Sequence, residues 1–210
     1  MHFGFTRSCQ SRIHCPARIS ESDAVRIKAA AQTVYENFDV EKVVLMPLGD
    51  APHKEASAAP AEERYKMVLE AVKDNPAFAV SDMEVRRKGK TYTVDTVQEI
   101  KDINPDIDIY FVMGADELEA IDTWRMPEKL FELCRVIAVT RPGYNNDGLV
   151  KKIDEVREKY GGEVYFLEIP SLDISSSGLR QKIKDGRSVK YLMPKEALKY
   201  IVEHDLYKEG

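Results

Sequence analysis

The segment DIYFVMGADELEAIDTW, residues 108–124, decides the fold class of this 210-residue chain. Its first seven residues are almost all apolar, as in a strand that is buried on both faces of a parallel sheet. Other apolar runs of strand length lie at residues 42–48, 78–85, 135–143 and 163–170, and HFGF at residues 2–5 has the pattern of a short first strand.

Helical patterns separate these strands. They cover residues 24–37, 61–73, 93–102, 127–134, 149–160, 177–184 and 194–204. The regular alternation of strand and helix predicts an α/β fold with a mostly parallel sheet and helices on both faces. No internal repeat or low-complexity tract interrupts the pattern, so we predict that residues 1–210 form a single domain.

The composition disfavours several classes of protein. The net charge of −5 and the pI of about 5.5 are unlike those of a general nucleic-acid binder. No stretch approaches the ~18 apolar residues of a membrane span. Cys9, Cys15 and Cys134 are too few for a disulfide framework, and Cys9, His14 and Cys15 lack a zinc-type spacing. We therefore expect a cytoplasmic protein without a metal site of its own and with neither nucleic acid nor membrane as a partner.

Polar side chains collect just after the predicted strands. Ligands of open parallel sheets bind beyond the carboxyl ends of the strands, where the strand order reverses. The loops there read GDAPHK at residues 49–54, GADELEAIDTW at 114–124, TRPG at 140–143 and SLDISSSGLR at 171–180. Together they carry a histidine, cations, serines, carboxylates and the only tryptophan, a set that core packing does not require.

The loop at residues 171–180 has the composition of an anion site. Unpaired N–H groups at a helix N-terminus attract anions, and Ser175, Ser176 and Arg180 would add two hydroxyls and a guanidinium for a phosphate. A plain helix cap with a solvent-facing arginine fits the same spacing. His53 and Lys54 would bind a phosphate or a carboxylate at the mouth of the sheet, or belong to an ordinary polar loop.

Three further segments have both a functional and a structural explanation. The TYT sequence at residues 91–93 can donate hydrogen bonds to a ligand, or form a strand edge and a helix cap. Trp124 is either a core residue or a stacking platform with one accessible face. Asp116 follows Gly114 directly after the buried strand, where it would contact a sugar hydroxyl or a metal, or cap the next helix.

Eight pieces of the chain, from residue 42 to residue 207, resemble the bacterial nicotinate-nucleotide adenylyltransferases. In order they are VVLMPLGDAPHK, EERYKMVLEAV, FAVSDMEVRRKGKTYTVDTVQEI, YFVMGADELEAIDTW, RVIAVTRPG, LDISSSGLR, VKYLMP and YIVEHDLY. Each piece alone is a weak signal, but all eight follow the family's order and span about four-fifths of the chain.

The resemblance implies a Rossmann-like, doubly wound nucleotidyltransferase fold. It also implies transfer of the adenylyl group of ATP to nicotinate mononucleotide, giving deamido-NAD and pyrophosphate, with Mg²⁺ accompanying the ATP. The sequence is compatible with a homo-oligomer. The matching residues imply a substrate side of Thr91, Tyr92, Thr93, Asp116, Trp124, His53 and Lys54, with Trp124 stacking on the pyridine ring, and an ATP side of Gly114, Arg141, Ser175, Ser176 and Arg180.

Residues 6–23 depart from the family. There the family has a glycine-rich turn and a histidine motif, roughly G-G-x-F-x-P-x-H-x-G-H, that binds the ATP triphosphate, and this sequence has no such motif. The segment is polar and broken by Pro16, so we expect no regular element in it, and we assign no catalytic residue. Either the segment is read out of frame in the gene, or the chain has lost its triphosphate cradle.

We therefore expect only weak adenylyl transfer from the chain as written, because each lost transition-state donor costs about 10²–10³-fold in rate. Two alternative functions stay open at this point. One is a non-catalytic protein that binds the nicotinate nucleotide. The other is a related nucleotidyltransferase with another acceptor, such as phosphopantetheine or a cytidylyl acceptor.

Overall fold

The structure, a computed structural model, describes residues 11–15, 24–49, 59–144, 146–170 and 176–207. Within these ranges six strands form one sheet in the order β3-β2-β1-β4-β5-β6, and every neighbouring pair is parallel. This is the doubly wound order, in which the strand order reverses between β1 and β4. The predicted fold class is confirmed. The strands are β1 Ser11–Cys15, β2 Lys42–Leu45, β3 Phe78–Val80, β4 Asp108–Gly114, β5 Arg135–Thr140 and β6 Val164–Glu168.

The helices follow the predicted pattern closely. All seven predicted helices are present with small differences at their ends, and two short helices, α3 and α5, were not predicted. A 3₁₀ turn at Ile121–Thr123 follows α5. The helices are α1 Ala24–Asn37, α2 Ala61–Val72, α3 Met83–Arg86, α4 Thr93–Ile103, α5 Ala115–Glu119, α6 Pro127–Leu133, α7 Asn146–Tyr160, α8 Ser176–Lys184 and α9 Lys195–Glu203.

The predicted strand at residues 78–85 is wrong over its second half. The strand ends at Val80, and after Ser81 and Asp82 the chain enters α3 at Met83. The alternating pattern misled the prediction because this helix has only four residues, too few to show a helical period. Its one buried side chain is Glu84, an acidic residue that no apolar pattern would place inside.

The first strand also differs from the prediction. Residues 2–5 lie outside the described ranges, and the position of the first strand in the sheet is taken by Ser11–Cys15. The expectation that residues 6–23 contain no regular element is therefore wrong for these five residues. Ile13 pairs with Val43 on one side and with Tyr110 on the other. A central strand bonds to two neighbours, so even a short polar sequence can satisfy its backbone there.

The helices bury both faces of the sheet, as predicted. On one face Val34 of α1 and Val68 of α2 pack against Val43 and Ile137 of the sheet. On the other face helices α4 to α7 cover residues such as Phe111 and Val136. A third, smaller cluster joins α8 to α2 and α9, with Leu179 buried against Met67 and Ile201. This cluster fixes α8 beyond β6, at the carboxyl edge of the sheet.

Candidate active site

The crevice of the sheet opens between β1 and β4, whose carboxyl ends are neighbours in a parallel sheet. At the end of β4 the Gly114 N–H donates to the Glu117 carboxylate at 3.2 Å and so starts α5. A Cβ at position 114 would lie 2.4 Å from Asp116 Oδ1, so this carboxylate packs directly against the glycine. The exposed Asp116 side chain therefore sits beside the strand end, at the edge where a ligand would bind.

The segments that follow β2 and β3 meet at Gly49. This buried glycine lies against α3, because a Cβ there would be 2.3 Å from the Glu84 carbonyl oxygen and 3.5 Å from Thr91 Oγ1. The Thr91 hydroxyl oxygen is buried and has no hydrogen-bond partner among the residues that the structure describes. A buried hydroxyl without a partner costs free energy, which points to a ligand or a neighbouring loop as its partner.

Arg125 brings the TYT segment and the tryptophan segment together. Its guanidinium carbon lies 4.6 Å from the centroid of the Tyr92 ring, and its Nη1 lies 3.2 Å from the Asp95 carboxylate. The adjacent Trp124 is half-buried and meets Phe111 edge-on at 6.0 Å between ring centroids. One part of the indole is thus anchored on the core, while the side chain as a whole stays partly accessible.

A hydrogen-bond chain lies behind the TYT segment. The Thr96 hydroxyl donates to Glu84 Oε1 at 2.8 Å and accepts a bond from Arg87 Nη1 at 2.7 Å. Arg87 also pairs with Glu99. Burial raises the pKa of Glu84, and the Thr96 bond and the Arg87 charge oppose that rise only in part. The sequence prediction missed Glu84, and nothing in the stretch FAVSDMEV at residues 78–85 distinguishes it from the neighbouring acidic Asp82.

The loop after β5 lies beside α5. Thr140 is buried, and its hydroxyl has no partner within the described part of the chain. Arg141 follows it and is exposed. The Tyr144 hydroxyl donates to the Glu119 carboxylate at 2.8 Å, and this contact raises the pKa of Tyr144 to about 12. The contact ties the TRPG loop to the helix that carries Asp116.

The remaining predicted residues lie at or beyond the limits of the described chain. His53, Lys54 and Ser175 are outside the described residues, and only the backbone of Ser176 is described. Arg180 is half-buried one turn into α8. The structure thus links residues 91–93 to the segment of Trp124 through Arg125, and it sets Gly114, Asp116 and Arg141 at the ends of β4 and β5. Their roles toward a nucleotide stay predictions.

A cavity of about 410 Å³ lies elsewhere, against the second half of α7. That half of the helix leads to the amino end of β6, so the cavity is away from the carboxyl edge. The Asp122 carboxylate in its wall accepts hydrogen bonds from Lys152, Lys159 and Tyr160, and these bonds lower the Asp122 pKa. The cluster anchors the 3₁₀ turn that leads to Trp124, which is a structural role.

The described residues contain neither a metal-type side-chain cluster nor a membrane-spanning helix. No group of three or more histidine, cysteine, aspartate or glutamate side chains in the described ranges is arranged to bind a metal ion. None of the described helices is both long and apolar enough to cross a membrane.

Comparison with known proteins identifies the family. The cytidylyltransferase-like family model matches residues 27–182. A Thermoanaerobacter protein (strain X514) with the name "Probable nicotinate-nucleotide adenylyltransferase" is 38% identical over 181 residues, covering 85% of this chain and 86% of its own. A Symbiobacterium thermophilum protein with the same name is 40% identical over 183 residues, covering 87% and 88%. The chain belongs to the nicotinate-nucleotide adenylyltransferase family. It is thus a nucleotidyltransferase of NAD biosynthesis, and the predicted family and enzyme class are confirmed.

Solved structures of the same kind share the fold. A Plasmodium falciparum nicotinic acid mononucleotide adenylyltransferase complexed with NaAD superposes with a TM-score of 0.71 at 18% identity, covering 95% of this chain and 98% of that one. The same enzyme complexed with APC gives 0.69, covering 94% and 97%. At this identity the likeness concerns the fold alone. The interpretation of residues 1–210 as one domain stays a prediction.

Proposed function

We propose that this chain transfers the adenylyl group of ATP to the phosphate of nicotinate mononucleotide and releases deamido-NAD and pyrophosphate. The observation that carries the proposal is the contact of Arg125 with the Tyr92 ring, which groups the TYT segment with the accessible tryptophan at one end of the sheet. The names of the family's members support the same reaction. We also propose a cytoplasmic location, since the few cysteines suit a reducing compartment.

The acceptor nucleotide would lie on one side of the crevice, against the segments that follow β2 and β4. Trp124 would stack on the pyridine ring, because an indole that is fixed at one edge offers a rigid face to an aromatic ligand. The buried Thr91 hydroxyl, which lacks a described partner, would donate to the acceptor together with Tyr92 and Thr93. Asp116 would accept a hydrogen bond from a ribose hydroxyl, and His53 and Lys54 would supply further contacts from the preceding loop.

ATP would lie on the other side of the crevice, over the ends of β4 and β5. Gly114 allows a close approach to the strand end, and the exposed Arg141 carries a positive charge beside it. The N-terminus of α8, with Ser175, Ser176 and Arg180, would bind phosphate oxygens. A divalent ion accompanies ATP in nucleotidyltransferases of this kind, and we propose Mg²⁺.

The described residues fit a metal that is bound mainly by the substrate. Magnesium keeps few protein ligands and binds phosphate oxygens readily, and Asp116 is an exposed carboxylate at the end of β4 that could serve as one ligand. When bound, the ion would offset negative charge on the phosphates. The residues of the chain would align the two nucleotides and shield their charges from each other.

The transfer needs little covalent help from the protein. A phosphate oxygen of nicotinate mononucleotide, already ionised near neutral pH, would form a bond to the α-phosphorus of ATP. The bond from that phosphorus to the bridging oxygen would break, and pyrophosphate would leave with the electron pair. No general base is required. The contribution of the chain is to hold both nucleotides in line.

We expect the chain as written to be a weak catalyst. The triphosphate motif is missing from residues 6–23, and part of that segment forms the central strand β1. Resequencing the gene decides between the two origins of the segment. An unbroken read that encodes residues 6–23 would remove the out-of-frame explanation and leave a real loss of the motif.

A pyrophosphate-release assay with ATP and nicotinate mononucleotide tests the proposal. The parent chain should turn over slowly, a Trp124→Ala variant should be slower still, and a chain with the histidine motif restored should be much faster. Nicotinamide mononucleotide as acceptor measures the preference for the acid. Turnover by the parent at the rate of the motif-restored chain would refute the expected impairment.

The missing motif also favours a second candidate, a protein that binds the nicotinate nucleotide without catalysis. Calorimetry with each nucleotide alone separates the two functions. Binding of nicotinate mononucleotide without binding of ATP would favour the second candidate, and binding of both favours the enzyme. Membership of the family speaks against an acceptor such as phosphopantetheine, and a panel of acceptors in the same assay tests that directly. A homo-oligomer stays a prediction.

A further inference from the structure

Glu84 is buried where a charged residue is seldom found. Only 1% of its surface is exposed, and it sits on the four-residue helix α3 between β3 and α4. Glutamate is rarely so deeply buried without an ion-pair partner, because removing its charge from water is costly. Its Oε2 atom has no hydrogen-bond partner among the described residues. A leucine of similar size would avoid both costs, so stability alone does not account for this residue.

The contacts of Glu84 join three segments at the carboxyl edge of the sheet. Its carbonyl oxygen lies against Gly49, in the segment after β2. Its side chain accepts the hydrogen bond from Thr96, on the first turns of α4. Arg87, just after α3, bonds to the same Thr96 hydroxyl from the other side.

Thr96 in turn fixes the start of α4. Its backbone N–H donates to the Tyr92 carbonyl at 3.2 Å, and the Tyr92 ring carries the Arg125 guanidinium. A shift of Thr96 would therefore move Tyr92 and, through Arg125, the segment next to Trp124. These are the residues to which the proposed function assigns the acceptor nucleotide.

We infer that Glu84 is a positioning residue for the acceptor nucleotide: through Thr96 it holds the turn at residues 91–93 in the conformation that receives nicotinate mononucleotide. The inference rests on the proposed function, since it names the same ligand. Glu84 does not touch the nucleotide. It acts through the hydrogen bonds that join Glu84, Thr96 and Arg87. Within the Glu84 side chain, this positioning depends on the Oε1 atom that accepts the Thr96 hydrogen bond.

Calorimetry on the full chain tests this inference, with nicotinate mononucleotide and ATP titrated separately. Two variants remove the hydrogen bond between Thr96 and Glu84. Thr96→Val keeps the shape of the threonine side chain, and Glu84→Leu keeps the approximate volume of the glutamate side chain. Glu84→Gln retains an oxygen that can accept the Thr96 hydrogen bond. Val97→Ala is the matched control, because it removes fully buried atoms from the same helix and leaves the hydrogen bonds of Glu84, Thr96 and Arg87 in place. All titrations are run below the lowest melting temperature.

We expect the Kd for nicotinate mononucleotide to rise about tenfold in Thr96→Val and Glu84→Leu, the effect of losing one well-placed contact. The Kd should stay within about twofold of the parent value in Glu84→Gln and in Val97→Ala, although Val97→Ala lowers the melting temperature. ATP affinity should not change in any variant. If Glu84→Leu does not fold, Thr96→Val and Glu84→Gln still decide the matter.

Two negative results are distinct. A parent chain that binds no nicotinate mononucleotide refutes the proposed function and the inference with it. A parent that binds it while Thr96→Val binds equally well refutes the inference alone. Equal weakening in Thr96→Val and Val97→Ala would also overturn it, because general loss of stability would then account for the effect.

Discussion

Replacing Gly49 by alanine should destabilise the protein and weaken acceptor binding together. Gly49 does not have a left-handed backbone conformation. Without a clash, alanine at this position would therefore reduce the entropy of the unfolded chain and slightly stabilise the folded protein. The new Cβ, however, would stand 2.3 Å from the backbone oxygen of Glu84. A backbone atom cannot rotate away as the end of a side chain can, so the two segments must move apart by about 1 Å.

The expected cost follows from that displacement. Overpacking a well-packed site by one methyl group costs about 1–3 kcal/mol, and a contact with backbone belongs near the middle of that range, at about 2 kcal/mol. For a domain of this size, 1 kcal/mol corresponds to about 2–4 °C in melting temperature. We therefore expect Gly49→Ala to melt about 4–8 °C below the parent. The same movement displaces Thr91, so the affinity for nicotinate mononucleotide should fall as well.

Gly186→Ala is the matched control. This glycine has φ +67° and no atom within 4 Å of a built Cβ, so alanine there costs about 1 kcal/mol of left-handed strain without any clash. Thermal unfolding followed by circular dichroism and calorimetry with nicotinate mononucleotide compare the two variants. Both should melt lower, but only Gly49→Ala should bind the nucleotide more weakly. A Gly49→Ala protein as stable as the parent would refute the reasoning.

Three further predictions use other parts of the molecule. Nicotinate mononucleotide should quench the fluorescence of Trp124, the only tryptophan, whereas ATP alone should leave it unchanged; quenching by ATP alone would place the indole on the wrong side of the crevice. Because the pKa of Asp122 is lowered in the folded protein, its hydrogen bonds stabilise the fold above about pH 4, and this stabilisation is lost as the pH falls further. Asp122→Asn should therefore lower the urea midpoint of unfolding at pH 6 and have a smaller effect on it at pH 3. Burial raises the pKa of the Cys134 thiol to about 12, so iodoacetamide at pH 8 should label the Cys134 peptide only after unfolding, as mass spectrometry of the digest would show.

Most of the fold could be predicted from the sequence because its elements have strong local patterns. The residues of β4 are apolar almost throughout, and α1 has the bounds that its alanine-rich pattern predicts. The failures come where a local pattern is too short or where distant neighbours decide. Helix α3 has only about one turn, too little to show a repeating pattern, and β1 is a strand because two other strands flank it.

The position of the candidate site could be predicted from the sequence better than the side-chain contacts that link its segments. The rule that ligands bind at the carboxyl edge led to Asp116 and Trp124, and the resemblance to the family added the TYT segment. The sequence could not reveal that Arg125 links the last two segments, because the contact with Tyr92 spans 33 positions and depends on how α4 and the 3₁₀ turn meet. Glu84 was missed for the same reason, since only tertiary contacts show what a buried carboxylate bonds to.

The pairing of β1 with β4 is the seam between the two halves of the sheet. Strands β1 to β3 can assemble from neighbouring parts of the chain, and so can β4 to β6. The seam, however, pairs β1, which ends at Cys15, with β4, which begins at Asp108, so the long segment between them must first close into a loop. Contacts so distant along the chain form late and slow folding. A nucleotide bound above the seam would bridge both halves, so saturating ligand should slow unfolding and raise the melting temperature by mass action.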